Sequence, residues 1–168
     1  MTRVDILAIA AHPDDIELIC GGTLVRAQML GRSTGILDLA AGELATRGTP
    51  EIRAKEAAKA AKTMGVSVRE NLGLPDGGIQ NTPETRAKVA VVIRRLQPAI
   101  VITHSLHGRH PDHPIVAQLV RDACFVAGLA KVEPKVPPHR PRKVLHALSF
   151  REDNQKPTFV VDISESFE

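Results

Sequence analysis

Tryptophan and tyrosine are absent from this 168-residue chain, and phenylalanine occurs only four times. Stacking on nucleobases is therefore a poor prospect, and the core must be built from Ala, Val, Ile and Leu. An excess of one charge is lacking too. The 22 Lys plus Arg against 19 Asp plus Glu leave a formal +3, too weak and too dispersed to mark a nucleic-acid surface. Cysteine is limited to Cys20 and Cys124, far apart and in no C-x-x-C pattern. They read as small buried hydrophobes in a reducing compartment. The apolar run in "MTRVDILAIAAHPDD" is too short to span a bilayer and is closely flanked by charge. No signal peptide or transmembrane helix is expected, and the chain reads as cytoplasmic with no membrane partner.

What is present is ordinary for a globular domain: 43% hydrophobic and 24% charged residues, in a length that suits one domain over 1–168. Val4 to Ala11 is an apolar run of the kind buried on both faces of a sheet. A helix is expected through "GGTLVRAQMLG", ended by Gly31, then a strand in "STGILDLA". Thr49-Pro50 and Thr82-Pro83 both place a capping residue before Pro at the first helical position. The two helices so started end at Gly65 and Pro98. A short strand near "VRENLGL", a strand at "AIVITHS" and a helix in "HPIVAQLVRDACFVAGL" follow. Alternating strands and helices predict an α/β fold, a doubly wound, mostly parallel, Rossmann-like sheet with helices on both faces.

The pattern changes after Gly128. "KVEPKVPPHRPRK" is Pro-rich and basic, a long loop that either lies solvated on the surface or covers an acidic ligand. "VLHALSF" and "TFVVDI" read as two further strands. The terminal "DISESFE" resembles a helix cap with the first residues of a helix. A helix start without its body buries nothing, so the domain is expected to be truncated at this end.

Chemistry collects at two strand tips. His12, Asp14 and Asp15 follow the first strand; His110, Asp112 and His113, in "GRHPDHP", follow the fourth. In the common doubly wound order those strands are neighbours, and the crevice between their carboxyl ends is the usual binding site. Two adjacent carboxylates repel, so a cation beside them is expected. Two imidazoles and a carboxylate, with a position left for water, make an open zinc set, although ferrous ion suits the same donors. One carboxylate can bind the metal while the other takes a proton from water, and a nearby histidine can stabilise an oxyanion or protonate a leaving amine. Either motif alone could be a turn or a helix start; together, on corresponding strand tips, they point to metal-assisted amide hydrolysis.

"AHPDDIE" followed about a hundred residues later by "HPDH" resembles the PIG-L/LmbE family of zinc-dependent N-acetylglucosamine deacetylases, and the likeness continues through "GELATRGTPEIRAKEA" and "NLGLPDGGI". The longer stretches are most similar to the bacillithiol-biosynthesis branch, which deacetylates N-acetylglucosaminyl-malate. The resemblance implies His12, Asp15 and His113 as zinc ligands and Asp14 as general base. It implies His110 as the residue that stabilises the tetrahedral intermediate, Asp112 as its orienting partner and Arg53 as a substrate-binding residue. It also implies a small-molecule N-acetylglucosaminyl conjugate as partner, and a tendency to form homo-oligomers. A chitooligosaccharide or inositol conjugate is the alternative substrate, and an inactive metal-binding domain the rival outside catalysis.

Other candidates carry less. His104 and His107 read as solvated or hydrogen-bonded loop histidines, and His139 and His146 lack partner spacing. Asp76 in "LPDGG" reads as a turn residue, and Glu17 as a helix-start carboxylate. Gly21-Gly22 has no G-x-G-x-x-G around it, and acid stands where a pyrophosphate would sit, which argues against a nucleotide.

Overall fold

A computed structural model describes residues 3–132, 135–148 and 155–167. Five parallel strands form one sheet: β1 (Ile6–Ala10), β2 (Thr34–Ala40), β3 (Val68–Leu74), β4 (Ile100–Thr103) and β5 (Lys143–His146), in the order β3-β2-β1-β4-β5. Ile6 aligns with Thr34 on one side and Ile100 on the other. The first and fourth strands are therefore neighbours, as the spacing of the two motifs required.

Side chains along β1 alternate between two cores. Leu7 and Ile9 pack with Leu37, Val101 and the buried faces of α4 (Pro83–Leu96) and α5 (Asp112–Ala127). Ala8 and Ala10 pack with Ile36 and Ile102 beneath α1 (Asp15–Ile19), α2 (Gly21–Met29) and α3 (Pro50–Thr63), through Ile16, Leu24 and Met64. Burial on both faces is why β1 reads as an unbroken apolar run rather than an alternating one. Each fully buried Leu or Ile contributes roughly 1.5–3 kcal/mol. No described helix is long and apolar enough to cross a membrane.

Local signals set the helix ends. Thr49 Oγ1 accepts from the Ile52 N–H, and Thr82 with Thr85 forms a reciprocal capping box. After α4 the chain turns through Gln97 in the left-handed region (φ 49°) before Pro98. Arg94, 1% exposed, donates to the carbonyls of Ala127, Leu129 and Val136 and fixes the segment that follows α5.

The structure departs from expectation in three places. A short α1 precedes α2, the two separated at Cys20 (φ −153°). Glu17, on α1, does more than start a helix. It joins Arg69, whose guanidinium also holds Asp38 through two nitrogens at 2.8 and 3.1 Å. Burial raises the Asp38 carboxyl to about 6 against the pull of Arg69, so it remains ionised at neutral pH. The strand expected at 158–163 does not form. That segment crosses to α2 instead of a sheet edge, with Ile163 seated on Gly22 where an added Cβ would come within 2.6 Å of Cδ1. Without a partner there is no ladder, and Phe159 and Val160 remain 59% and 79% exposed. The strand expected at 144–150 is β5 as far as His146; Ser149 and Phe150 lie outside the described residues.

Candidate active site

All the chemistry lies at the carboxyl end of the sheet, where four strand tips surround a cleft of about 540 Å³. The β1 tip supplies His12, Asp14 and Asp15; the segment after β2 supplies Gly42 and Leu44. The β3 tip supplies Asp76, and the β4 tip His104, His110 and His113.

Asp15 is the centre of the floor. Its Oδ2 accepts the His12 backbone N–H at 2.9 Å and lies 3.3 Å from His12 Nδ1 and 3.3 Å from His104 Nε2. Its Oδ1 lies 3.2 Å from His113 Nε2. Burial opposes its charge, but the surrounding His104, His113 and His12 rings hold the carboxyl well below the usual range. His12 shows the complementary effect. Burial disfavours its cation, yet the Asp15 hydrogen bond and the charges of Asp15, Asp76 and Asp112 push its pKa up to about 9. The floor is thus built to hold positive charge.

Asp14 behaves differently. Its side chain is 59% exposed, and its Oδ2 lies 3.1 Å from Arg53 Nη2. The N–H groups of the next helix receive no cap from it. Arg53 comes from the first turn of α3 and lies flat over Gly42, where φ is +75° and an added Cβ would meet Nε at 2.5 Å. The cleft thus holds one exposed carboxylate at its mouth and one buried carboxylate on its floor.

The donor set fits a divalent cation. One nitrogen each of His12, His110 and His113 lie within 4.8 Å of one another, and so do one donor atom each of Asp15, His104 and His113. Nitrogen and oxygen donors converging on one carboxylate suit zinc or ferrous ion. His12, Asp15 and His113 belong to these overlapping groups, with Asp15 contacting both rings.

His110 is brought into the cleft with the others, its ring 4.7 Å from that of His12. Burial and the neighbouring His12 and His113 lower its pKa, so it is neutral near pH 7. Its Nδ1 accepts the Asp112 backbone N–H at 3.2 Å, which leaves the proton on Nε2. The Asp112 carboxylate makes its hydrogen bond to the turn after β3. Its Oδ2 accepts the Gly77 N–H at 2.9 Å and lies 3.3 Å from His12 Nε2. At the start of α5 this side chain is buried beneath the β3 turn, 2% exposed, against that turn and His12.

Two residues in contact with the floor escaped the sequence reading. His104 is buried on the floor; its Nε2 accepts the Ala11 N–H at 3.0 Å, and its ring stacks 4.0 Å from that of His113. Burial lowers its pKa and keeps it neutral. Asp76 lies 2.9 Å from His12 Nε2. Both follow a parallel strand at its carboxyl end, the one signal that would have found them. His107 lines the cleft, His139 contacts the Pro98 carbonyl at 2.8 Å, and His146 contacts that of His104 at 2.8 Å. No described residue of the basic 131–143 loop lines the cleft.

A family profile described as PIG-L: GlcNAc-PI de-N-acetylase matches residues 7–124. The crystal structure of the conserved protein TT1542 from Thermus thermophilus is 44% identical with a TM-score of 0.91, over 96% of this chain and 73% of that one. The diacetylchitobiose deacetylase of Thermococcus kodakarensis is 28% identical, over 97% of this chain and 65% of its own. A 1D-myo-inositol 2-acetamido-2-deoxy-alpha-D-glucopyranoside deacetylase from Kineococcus radiotolerans is 28% identical, over 86% and 55%. The chain spans roughly half to two thirds of the length of these curated relatives.

Proposed function

The chain belongs to the PIG-L family, and on that premise we propose that it is a metal-dependent N-deacetylase releasing acetate from an N-acetylglucosaminyl conjugate. The observation that carries this reading is the pairing of Asp15, buried among imidazoles, with Asp14, exposed one residue away in the same cleft. His12, Asp15 and His113 are the proposed ligands of a zinc or ferrous ion. Such an ion would supply Lewis acidity and make water a stronger acid. Asp14 receives the proton of the attacking water, and Arg53 fixes the carboxylate that receives it. Neutral His110, with its proton on Nε2, donates a hydrogen bond to the developing oxyanion, and Asp14 passes the proton it took from water to the departing amine.

For the aglycone we propose malate. Arg53 and Arg109 line the cleft beside Asp14, Asp15 and Asp76, and they are the cations an acidic group would meet there. Two of the relatives carry the names of a chitobiose and an inositol-conjugate deacetylase, so those conjugates are the comparison substrates. The test is acetate release by the purified, zinc-loaded chain from all three, beside Asp14→Asn. Loss of about 10²–10⁴ in rate with zinc content unchanged is expected for a general base. An Asp14→Asn protein as fast as its parent overturns the assignment. A parent that holds zinc and releases no acetate from any of the three supports a binding domain instead.

A further inference from the structure

Asp76 has no part in the chemistry described so far, yet its side chain is only 7% exposed. It stands second in the Pro75–Gly78 turn, which is closed by the Gly78 N–H on the Pro75 carbonyl (3.2 Å), with Gly77 at φ +67°. A turn needs no particular side chain at that place. Here the carboxylate is spent on two specific partners. Oδ1 lies 2.9 Å from His12 Nε2, and Oδ2 accepts the Leu44 N–H at 2.9 Å. Glu43 Oε1 in turn accepts the Asp76 backbone N–H at 2.8 Å. The turn is thereby tied to the segment carrying Leu44, Ala45 and Thr46, which forms one wall of the cleft.

The two nitrogens of His12 face different groups. Nε2 faces Asp76 at 2.9 Å, with Asp112 Oδ2 farther off at 3.3 Å, and Nδ1 faces Asp15 at 3.3 Å. A metal-binding imidazole is neutral, and a proton held on Nε2 by the Asp76 carboxylate would leave the Nδ1 lone pair for a cation between His12 and Asp15. This is how an outer carboxylate sets the tautomer and the aim of a metal-binding histidine.

We propose that Asp76 positions His12 for metal binding through Nδ1 and couples that ligand to the 42–46 wall of the cleft. The inference rests on the metal site proposed above. Asp76 is a positioning residue, and its loss acts on the metal before it acts on the rate.

The test uses zinc and the full chain, with affinity measured by competition against a chromogenic chelator. Asp76→Asn keeps the size and the acceptor for Leu44 and removes the charge. It is expected to bind zinc roughly 10–100-fold more weakly, and Asp76→Glu to recover part of that loss. Independently of any variant, ¹⁵N spectra of the zinc-loaded parent are expected to show His12 coordinated through Nδ1 with its proton on Nε2. Unchanged affinity in Asp76→Asn, or coordination through Nε2, overturns the inference and leaves the deacetylase reading standing. A folded parent that takes up no zinc overturns both.

Discussion

Asp15, on the floor of the cleft, has 10% of its side chain exposed, whereas Asp14, at the mouth, has 59%. The two regions neutralise their carboxylates by different means. On the floor three imidazoles approach one carboxylate within 3.3 Å, and Asp76 and Asp112 hold the far side of His12. At the mouth a single guanidinium meets a solvated carboxylate. Buried charge in a low-dielectric setting must be matched atom by atom, or it costs several kcal/mol. Solvated charge is only biased by its partner, so it can exchange a proton with water. The floor is the proposed cation site and the mouth the proposed place of proton transfer.

The largest break in this contrast is Asp15→Ala. Zinc content by elemental analysis is expected to fall from about one per chain to none, with no acetate released. Retention of metal would mean that the floor is not organised around Asp15. Next is the support beneath the floor. Asp38→Ala removes one of the two carboxylates from the buried Arg69 guanidinium, which keeps Glu17 on α1, the helix that begins at Asp15. A loss of roughly 1–3 kcal/mol is expected for the donors left unmatched, read from urea midpoints; no measurable loss would place Asp38 outside the support.

A pH series separates the regions without mutation. His12 has its pKa raised from 6.5 to about 9 in the folded, metal-free chain. Its contribution to stability is fully present below pH 6.5 and is lost as pH rises through about 9. The metal-free melting temperature should fall across that window. Zinc, which needs the unprotonated ring, should shrink the fall. A flat metal-free profile would remove the charged His12 from the floor. The smallest effect belongs to the mouth. Gly42→Ala places a Cβ 2.5 Å from Arg53 Nε at φ +75°, with a strain cost of about 1–3 kcal/mol. The deacetylation rate is expected to drop as Arg53 shifts from Asp14, while zinc affinity stays at the parent value. A drop in affinity instead would join the two regions into one unit.

Much of this was legible in the residues. The Thr-Pro starts of α3 and α4 and the apolar run of β1 act over a few neighbouring residues, so short windows reveal them. The adjacency of β1 and β4 followed from the commonest strand order. Asp76 was illegible because "LPDGG" satisfies turn chemistry on its own, and the partner that gives its carboxylate a use lies 64 positions away. The contacts of Asp112 were equally hidden. His110 is two residues away in sequence, but the helix start turns the carboxylate toward Gly77 and His12. "TFVVDI" has strand composition yet found no sheet edge; a ladder needs a neighbour, and composition does not supply one.

Sequence alone determined the first four strands, the Thr-Pro helix starts and which residue types stood at the strand tips, because capping, periodicity and turn chemistry are local. Tertiary structure decided which of two adjacent aspartates is buried, which carboxylates face His12, and that Arg53 meets Asp14 across Gly42. Those outcomes depend on desolvation and on hydrogen-bond partners drawn from four different strand tips. Only the folded sheet brings them within hydrogen-bonding reach of one another.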